Sequence, residues 1–211
     1  MFSCLLIGSI LTGCSGGTES AGSASSDSAS ADPTPSQTEE TVEPTPTPTE
    51  TKPAVSDVEF KAALAKMKVI KDDVKGYKWY EDKSSYNYYW RNEFYIYTSG
   101  GSNPTLFLNI RYYDEDWLFI KSYFFNVDGE TFSFTPSYGE IQTDSDSTVT
   151  EWYNEVATQE NIELVQKIAN SKKTVMRLEG TKYYKDVTIT KAQKTAIKNV
   201  LIVYQGLGGE F

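Results

Sequence analysis

The sequence contains no histidine, and its two cysteines, Cys4 and Cys14, both lie within the first 14 residues. Beyond that terminus the chain has neither imidazole nor thiol. This excludes Ser-His and Cys-His nucleophiles from the rest of the chain, and zinc sites built from Cys and His. A Ser-x-x-Lys pair, a phosphate-cradling glycine loop and a dinucleotide fingerprint are missing too. The apolar run Leu5 to Leu11 is far shorter than the ~20 residues needed to span a bilayer, so no transmembrane helix is expected there. Basic residues are not in excess, with 20 Lys and Arg against 29 Asp and Glu. Nucleic acid is therefore not an expected partner.

The short apolar run ends in Leu11-Thr12-Gly13-Cys14, followed by Ser15-Gly16-Gly17. An aliphatic residue, small residues and then Cys resembles the lipobox of bacterial lipoproteins. The resemblance implies that residues 1–13 are a signal peptide, cut before Cys14 by signal peptidase II, and that the Cys14 sulfur carries a diacylglyceryl group. It further implies an extracytoplasmic protein held on the cell membrane by lipid. Burial of acyl chains stabilises by ~0.8 kcal/mol per methylene, and two chains suffice for durable attachment where one does not. Met1-Phe2-Ser3-Cys4 departs from the pattern in having no Lys or Arg. A signal n-region is positive, so the translation start is expected several codons upstream.

Residues 14–54 form the next segment, rich in Ser, Thr, Gly, Pro and Glu and nearly devoid of large apolar side chains. Such a composition buries too little surface to offset chain entropy, so a disordered tether is expected. Glu43-Pro44-Thr45-Pro46-Thr47-Pro48-Thr49 favours polyproline II, and at ~3.1 Å per residue about 40 residues reach ~120 Å when fully extended. Ser/Thr-Pro content of this kind also permits O-glycosylation. The net charge of -9 divides unevenly: residues 15–54 hold seven acids and one base, leaving about -3 on residues 55–211. The low isoelectric point is largely a property of the tether.

Residues 55–211 are 157 in number, enough for one domain with its own core. Ser56-Asp57-Val58-Glu59 is a capping-box signature, and Phe60, Ala63, Leu64 and Met67 follow at helical spacing, predicting a helix near 57–68. A strand-rich block runs from Tyr77 to Pro136, where Phe94 and Ile96 alternate with Tyr95 and Tyr97. Leu106, Leu108, Ile110 and Tyr112 alternate in turn with Phe107, Asn109, Arg111 and Tyr113. Asp128-Gly129 between β-rich runs predicts a two-residue hairpin in which Val127 faces Glu130, Phe125 faces Phe132 and Tyr123 faces Phe134. Phe119, Tyr123, Phe125, Phe132 and Phe134 then share one face, and Leu118, Ile120 and Phe124 leave the strand 117–127 apolar on both sides.

Residues 137–147 read as a polar loop, and helical patterns follow at 149–157 and 159–170, the second with Ile162, Val165, Ile168 and Ala169 on one stripe. Strands are expected from Thr174 to Gly180 and from Val187 to Ile189. Thr190-Lys191-Ala192-Gln193 opens a last helix that buries Ala196, Ile197, Val200, Leu201 and Tyr204 and ends at Gly206. A run of strands followed by helices predicts an α+β fold, an antiparallel β-sheet with helices packed on it. A β-sandwich with peripheral helices is the alternative.

Twenty-nine residues are Phe, Trp or Tyr, and 21 of them lie between Tyr77 and Tyr138. Adjacent pairs such as Tyr88-Tyr89, Tyr112-Tyr113 and Phe124-Phe125 cannot both point inward on one strand, because side chains alternate. With Leu106, Leu108 and Ile110 in the core, Asn109, Arg111 and Tyr113 take the opposite face, as do Tyr95 and Tyr97. Rings beside hydrogen-bonding groups form a platform for a glycan or a peptide. These five residues are the candidate binding face. No cofactor and no metal are expected. Asp144, Asp146, Thr148 and Glu155 have a loose calcium-loop spacing, but Val149 stands where that loop needs glycine, leaving a solvated acidic loop.

Asp114-Glu115-Asp116 reads as a turn. The expectation is a non-catalytic, lipid-anchored surface protein that binds an unknown extracellular ligand, whether glycan, peptide or protein. One alternative is an interaction or exclusion lipoprotein that blocks another envelope or phage protein. The other is a small envelope hydrolase working through paired carboxylates.

Overall fold

The computed structural model describes residues 55–86 and 91–211. The signal peptide, Cys14 and the tether lie outside the described residues, as does the Tyr88-Tyr89 pair. Contacts divide the chain between Pro48 and Thr49, and all the described residues belong to the second unit.

The elements run α1 (Asp57–Leu64), β1 (Met67–Asp72), β2 (Tyr77–Asp82), α2 (Lys83–Tyr86), β3 (Glu93–Ser99), β4 (Leu106–Asp114), β5 (Ser122–Val127) and β6 (Glu130–Phe134). After them come β7 (Ile141–Ser145), β8 (Val149–Val156), α3 (Gln159–Asn170), β9 (Thr174–Glu179), β10 (Tyr184–Thr188) and α4 (Lys191–Gly206). Among the described residues ten strands form two antiparallel sheets, a six-stranded one in the order β1-β2-β3-β4-β8-β7 and a four-stranded one in the order β10-β9-β5-β6. The fold is α+β, with the expected antiparallel strands divided between two sheets.

The two sheets meet through aromatic rings. Phe94 of β3 packs edge-on to Phe125 of β5 at 5.4 Å, and Tyr153 of β8 lies 6.1 Å from Tyr123 and 5.4 Å from Phe134. α4 lies against β2 and β3, with α1 and α3 packed on it. Its Ile197, Val200, Leu201 and Val203 join one continuous core with Phe94, Ile96, Leu108 and Ile110. Both predicted capping boxes form: Glu59 N–H donates to Ser56 Oγ at 3.3 Å, and Gln193 N–H to Thr190 Oγ1 at 3.2 Å.

The hairpin at Asp128-Gly129 has the predicted register at all three pairs. Both turn residues have positive φ (51° and 100°), as a type I′ turn requires. Asp128 also accepts hydrogen bonds from the N–H groups of Lys172 and Lys173 at 2.9 and 2.7 Å, tying the turn to the loop before β9. Those bonds hold its carboxyl below the usual carboxylate range.

Five expectations are corrected. The first helix stops at Leu64, because Met67 is buried as the opening residue of β1. Residues 141–145 are strand β7, an edge strand whose side chains are mostly exposed, which is why the segment reads as loop. Residues 149–157 form strand β8, not a helix. Val149, Trp152, Tyr153, Val156 and Ala157 match a helical stripe equally well, and pairing along the full length of β4 decides between the two. Finally, Phe119 is not on a strand, since β5 begins at Ser122. Within β5 only Tyr123, Phe125 and Val127 are buried, so one face is buried rather than two, and Phe124 on the other is exposed.

Candidate functional site

The ladder between β3 and β4 sets Tyr95 opposite Asn109, Tyr97 opposite Phe107 and Glu93 opposite Arg111. The ladder between β4 and β8 sets Asn109 opposite Asn154, Arg111 opposite Trp152 and Tyr113 opposite Thr150. Because partners across a ladder point to the same side, Tyr95, Tyr97, Asn109, Arg111 and Tyr113 share one face of the six-stranded sheet. The core residues Phe94, Ile96, Leu108 and Ile110 are on the other face. Phe107, Trp152 and Asn154 extend the candidate face, and Glu81 joins it from β2, opposite Tyr97.

Tyr97 sits at the middle of this group. Its ring stacks on Phe107 with centroids 4.8 Å apart and planes 5° from parallel, and the Tyr95 ring lies 6.4 Å away. Its hydroxyl donates to Asn154 Oδ1 at 3.0 Å. Burial pushes its phenol pKa up. Beside it Asn109 is 3% exposed, and its Oδ1 has no hydrogen-bond partner among the described residues. An unsatisfied buried acceptor costs about 1–3 kcal/mol. The Tyr123 hydroxyl in the core is unsatisfied in the same way, so what sets Asn109 apart is its place among the rings and polar groups of the candidate face.

Four carboxylates in the domain are buried: Glu81, Asp82, Glu93 and Glu151. Three of them hold structure. Asp82 accepts from the Ser84 N–H and hydroxyl and from Asn199 Nδ2 at 2.8 Å, joining β2 to α4. Glu93 pairs with Arg91 and accepts from Gln193 Nε2 at 3.1 Å, joining β3 to α4. Glu151 accepts three backbone N–H groups, from Leu118, Phe119 and Ile120, at 2.7, 2.8 and 2.8 Å. Glu81 differs. Burial raises its pKa to about 7, against the opposing pull of Lys68 and Arg111. On the candidate face it is poised between charged and neutral near neutral pH.

The Glu151 clamp shapes a second region, unmarked in the sequence. Three successive N–H groups turned onto one anion form a nest, and Phe119 inside it has φ +56°. That conformation is strained for a bulky side chain, and the Phe119 ring is 60% exposed. Trp117 stacks on it at 5.9 Å. Facing them is the turn between β9 and β10, where Thr181 N–H donates to Leu118 O at 3.2 Å. Gly180 is pressed so close that a Cβ there would come within 2.1 Å of Leu118 O.

A cavity of about 730 Å³ lies between loop and turn, lined by Trp117, Phe119, Tyr183 and Tyr184 among others. Asp114, read from the sequence as part of a turn, ends β4 at the cavity wall and pairs with Lys185 at 2.9 Å. The sequence singled out Asp114-Glu115-Asp116 as a turn and Phe119 as a strand residue, but not the cavity they share with Tyr183 and Tyr184. A buried acid that organises a distant loop has no local signature.

Of the calcium-spaced acids, Asp144 lies on β7 and Glu155 on β8, and no cluster of three metal-ligating side chains occurs among the described residues. Comparison with protein-family models, with curated proteins and with solved structures gives no match for this chain. The functional reading therefore rests on the residues themselves.

Proposed function

We propose that the chain is a lipid-anchored cell-surface protein whose domain, residues 55–211, binds an extracellular glycan, peptide or protein without transforming it. The observation that carries this is the gathering of Tyr95, Tyr97, Asn109, Arg111 and Tyr113 on one sheet face around the unsatisfied Asn109 acceptor. Aromatic rings supply contact area at low entropic cost, and amide and guanidinium groups supply direction. The use of three buried carboxylates as ties between elements supports binding over catalysis. Lipid on Cys14 anchors the chain, and an acidic tether extends by self-repulsion and avoids anionic surfaces.

The test uses the full chain purified from the membrane fraction. Its mass should correspond to a chain that begins at Cys14 and carries a diacylglyceryl group. Displayed on arrays of oligosaccharides and short peptides, it should give signals that vanish when Tyr95, Tyr97, Arg111 and Tyr113 are changed together to Ala. Asn109→Ala, a milder change, should weaken the same signals while the Tm holds. An unprocessed chain with a free Cys14 thiol contradicts the anchor. Signals untouched by both variants contradict the binding face.

A further inference from the structure

The geometry points to a second binding site, independent of the sheet face: the cavity between the 114–119 loop and the β9–β10 turn takes a neutral oligosaccharide. Its volume of about 730 Å³ falls within the range of small-molecule sites. Five aromatic residues line it, Tyr112, Trp117, Phe119, Tyr183 and Tyr184, and three of them are largely exposed: Phe119 at 60%, Tyr183 at 72% and Tyr184 at 57%. Two of these three are held in place rather than left loose. Phe119 is fixed by the Glu151 clamp and by Trp117 stacked on it. The Tyr184 ring lies under the Arg177 guanidinium at 3.8 Å, which two hydrogen bonds of 2.7 and 2.8 Å lock to Asp186. Strain at Phe119, spent on presenting a ring to solvent, is the kind of outlier that marks a ligand site.

The state of the backbone decides the class of ligand. A peptide recognised by main-chain pairing needs free N–H and C=O groups. At Leu118 and Phe119, in the wall of this cavity, those groups are already engaged. Leu118 and Phe119 N–H donate to Glu151, Leu118 O accepts from Thr181 N–H, and Phe119 O accepts from the Thr181 hydroxyl at 3.4 Å. Asp116 O accepts from the Tyr112 hydroxyl at 2.8 Å, and Gly180 N–H donates to Tyr183 O at 2.8 Å.

A ligand then meets chiefly aromatic surface and charged side chains. Asp114 and Asp116 are balanced by Lys182 and Lys185, so the lining favours no net charge. A pyranose chain fits this inventory. Its C–H faces lie on rings, and its hydroxyls donate to carboxylates and accept from ammonium groups.

Calorimetric titration of the full chain with cellohexaose, maltohexaose, mannohexaose and chitohexaose tests the proposal. At least one should bind. Phe119→Gly and Tyr183→Ala should each weaken it about tenfold or more, the scale of one lost ring contact. Phe119→Gly should leave the Tm unchanged or higher, because glycine adopts positive φ without strain. Tyr138→Ala, at an exposed ring that belongs to neither site, should leave the affinity unaltered, and Tyr95→Ala reports on the sheet face. The proposal fails if none of the four sugars binds. It also fails if both cavity variants bind as the wild type does, or if only Tyr95→Ala weakens binding.

Discussion

Glu81 shows how one residue couples the candidate face to pH. Its ordinary pKa is 4.5, and burial raises it to about 7 in the folded domain. Between those values the folded chain holds a proton that the unfolded chain has released, so stability from this group falls as pH rises through the window. It is fully present below about 4.5 and gone above about 7. Glu81→Gln, which stays neutral, should therefore have the higher Tm at pH 8 and should nearly match the wild type at pH 5. A Tm difference that is the same at both values contradicts the account. The exposed acids do not obscure this window. Asp114, Asp128 and Asp186 are held below their ordinary 3.8 by Lys185, by backbone N–H groups and by Arg177 respectively, and they titrate on the acid side of it.

At the scale of elements, the loop 117–121 depends on β8. Replacing Glu151 with Gln puts an amide N–H where the carboxylate accepts, and Glu151→Ala leaves three N–H groups without a partner. Either change should cost about 3 kcal/mol or more in urea unfolding, with Ala the worse. A loss within about 0.5 kcal/mol, the range of an ordinary surface substitution, contradicts the clamp. The same elements show what was legible in the sequence. Local chemistry was enough for the Asp128-Gly129 hairpin, for both capping boxes, and for α3, whose stripe of Ile162, Val165 and Ile168 is buried as expected.

Alternation alone placed the five candidate residues on one face, since period two admits no other arrangement. It did not show Trp152 or Asn154 beside them, because that required knowing that β8 pairs with β4. β8 itself was misread, as its apolar spacing satisfies helix and strand alike. Phe119 was misplaced for a related reason. Its positive φ depends on a carboxylate 32 residues away in the chain, and no local pattern encodes that.

At the scale of the whole molecule, charge and chemistry are segregated along the chain. The acidity belongs mainly to the residues behind Cys14, while the domain is nearly balanced and rich in rings. Under the proposed anchoring, this division would hold the module away from an anionic surface and leave recognition to shape, stacking and directed hydrogen bonds. The central claim is that the sheet face around Asn109 is completed by a ligand. The most direct measurement is the side-chain amide resonance of Asn109 in the full chain, followed by NMR as an oligosaccharide or peptide selected on the arrays is titrated in. The account predicts that this resonance shifts in step with binding, together with those of Asn154 and the Trp152 indole. A titration that saturates while all three stay in place would contradict it.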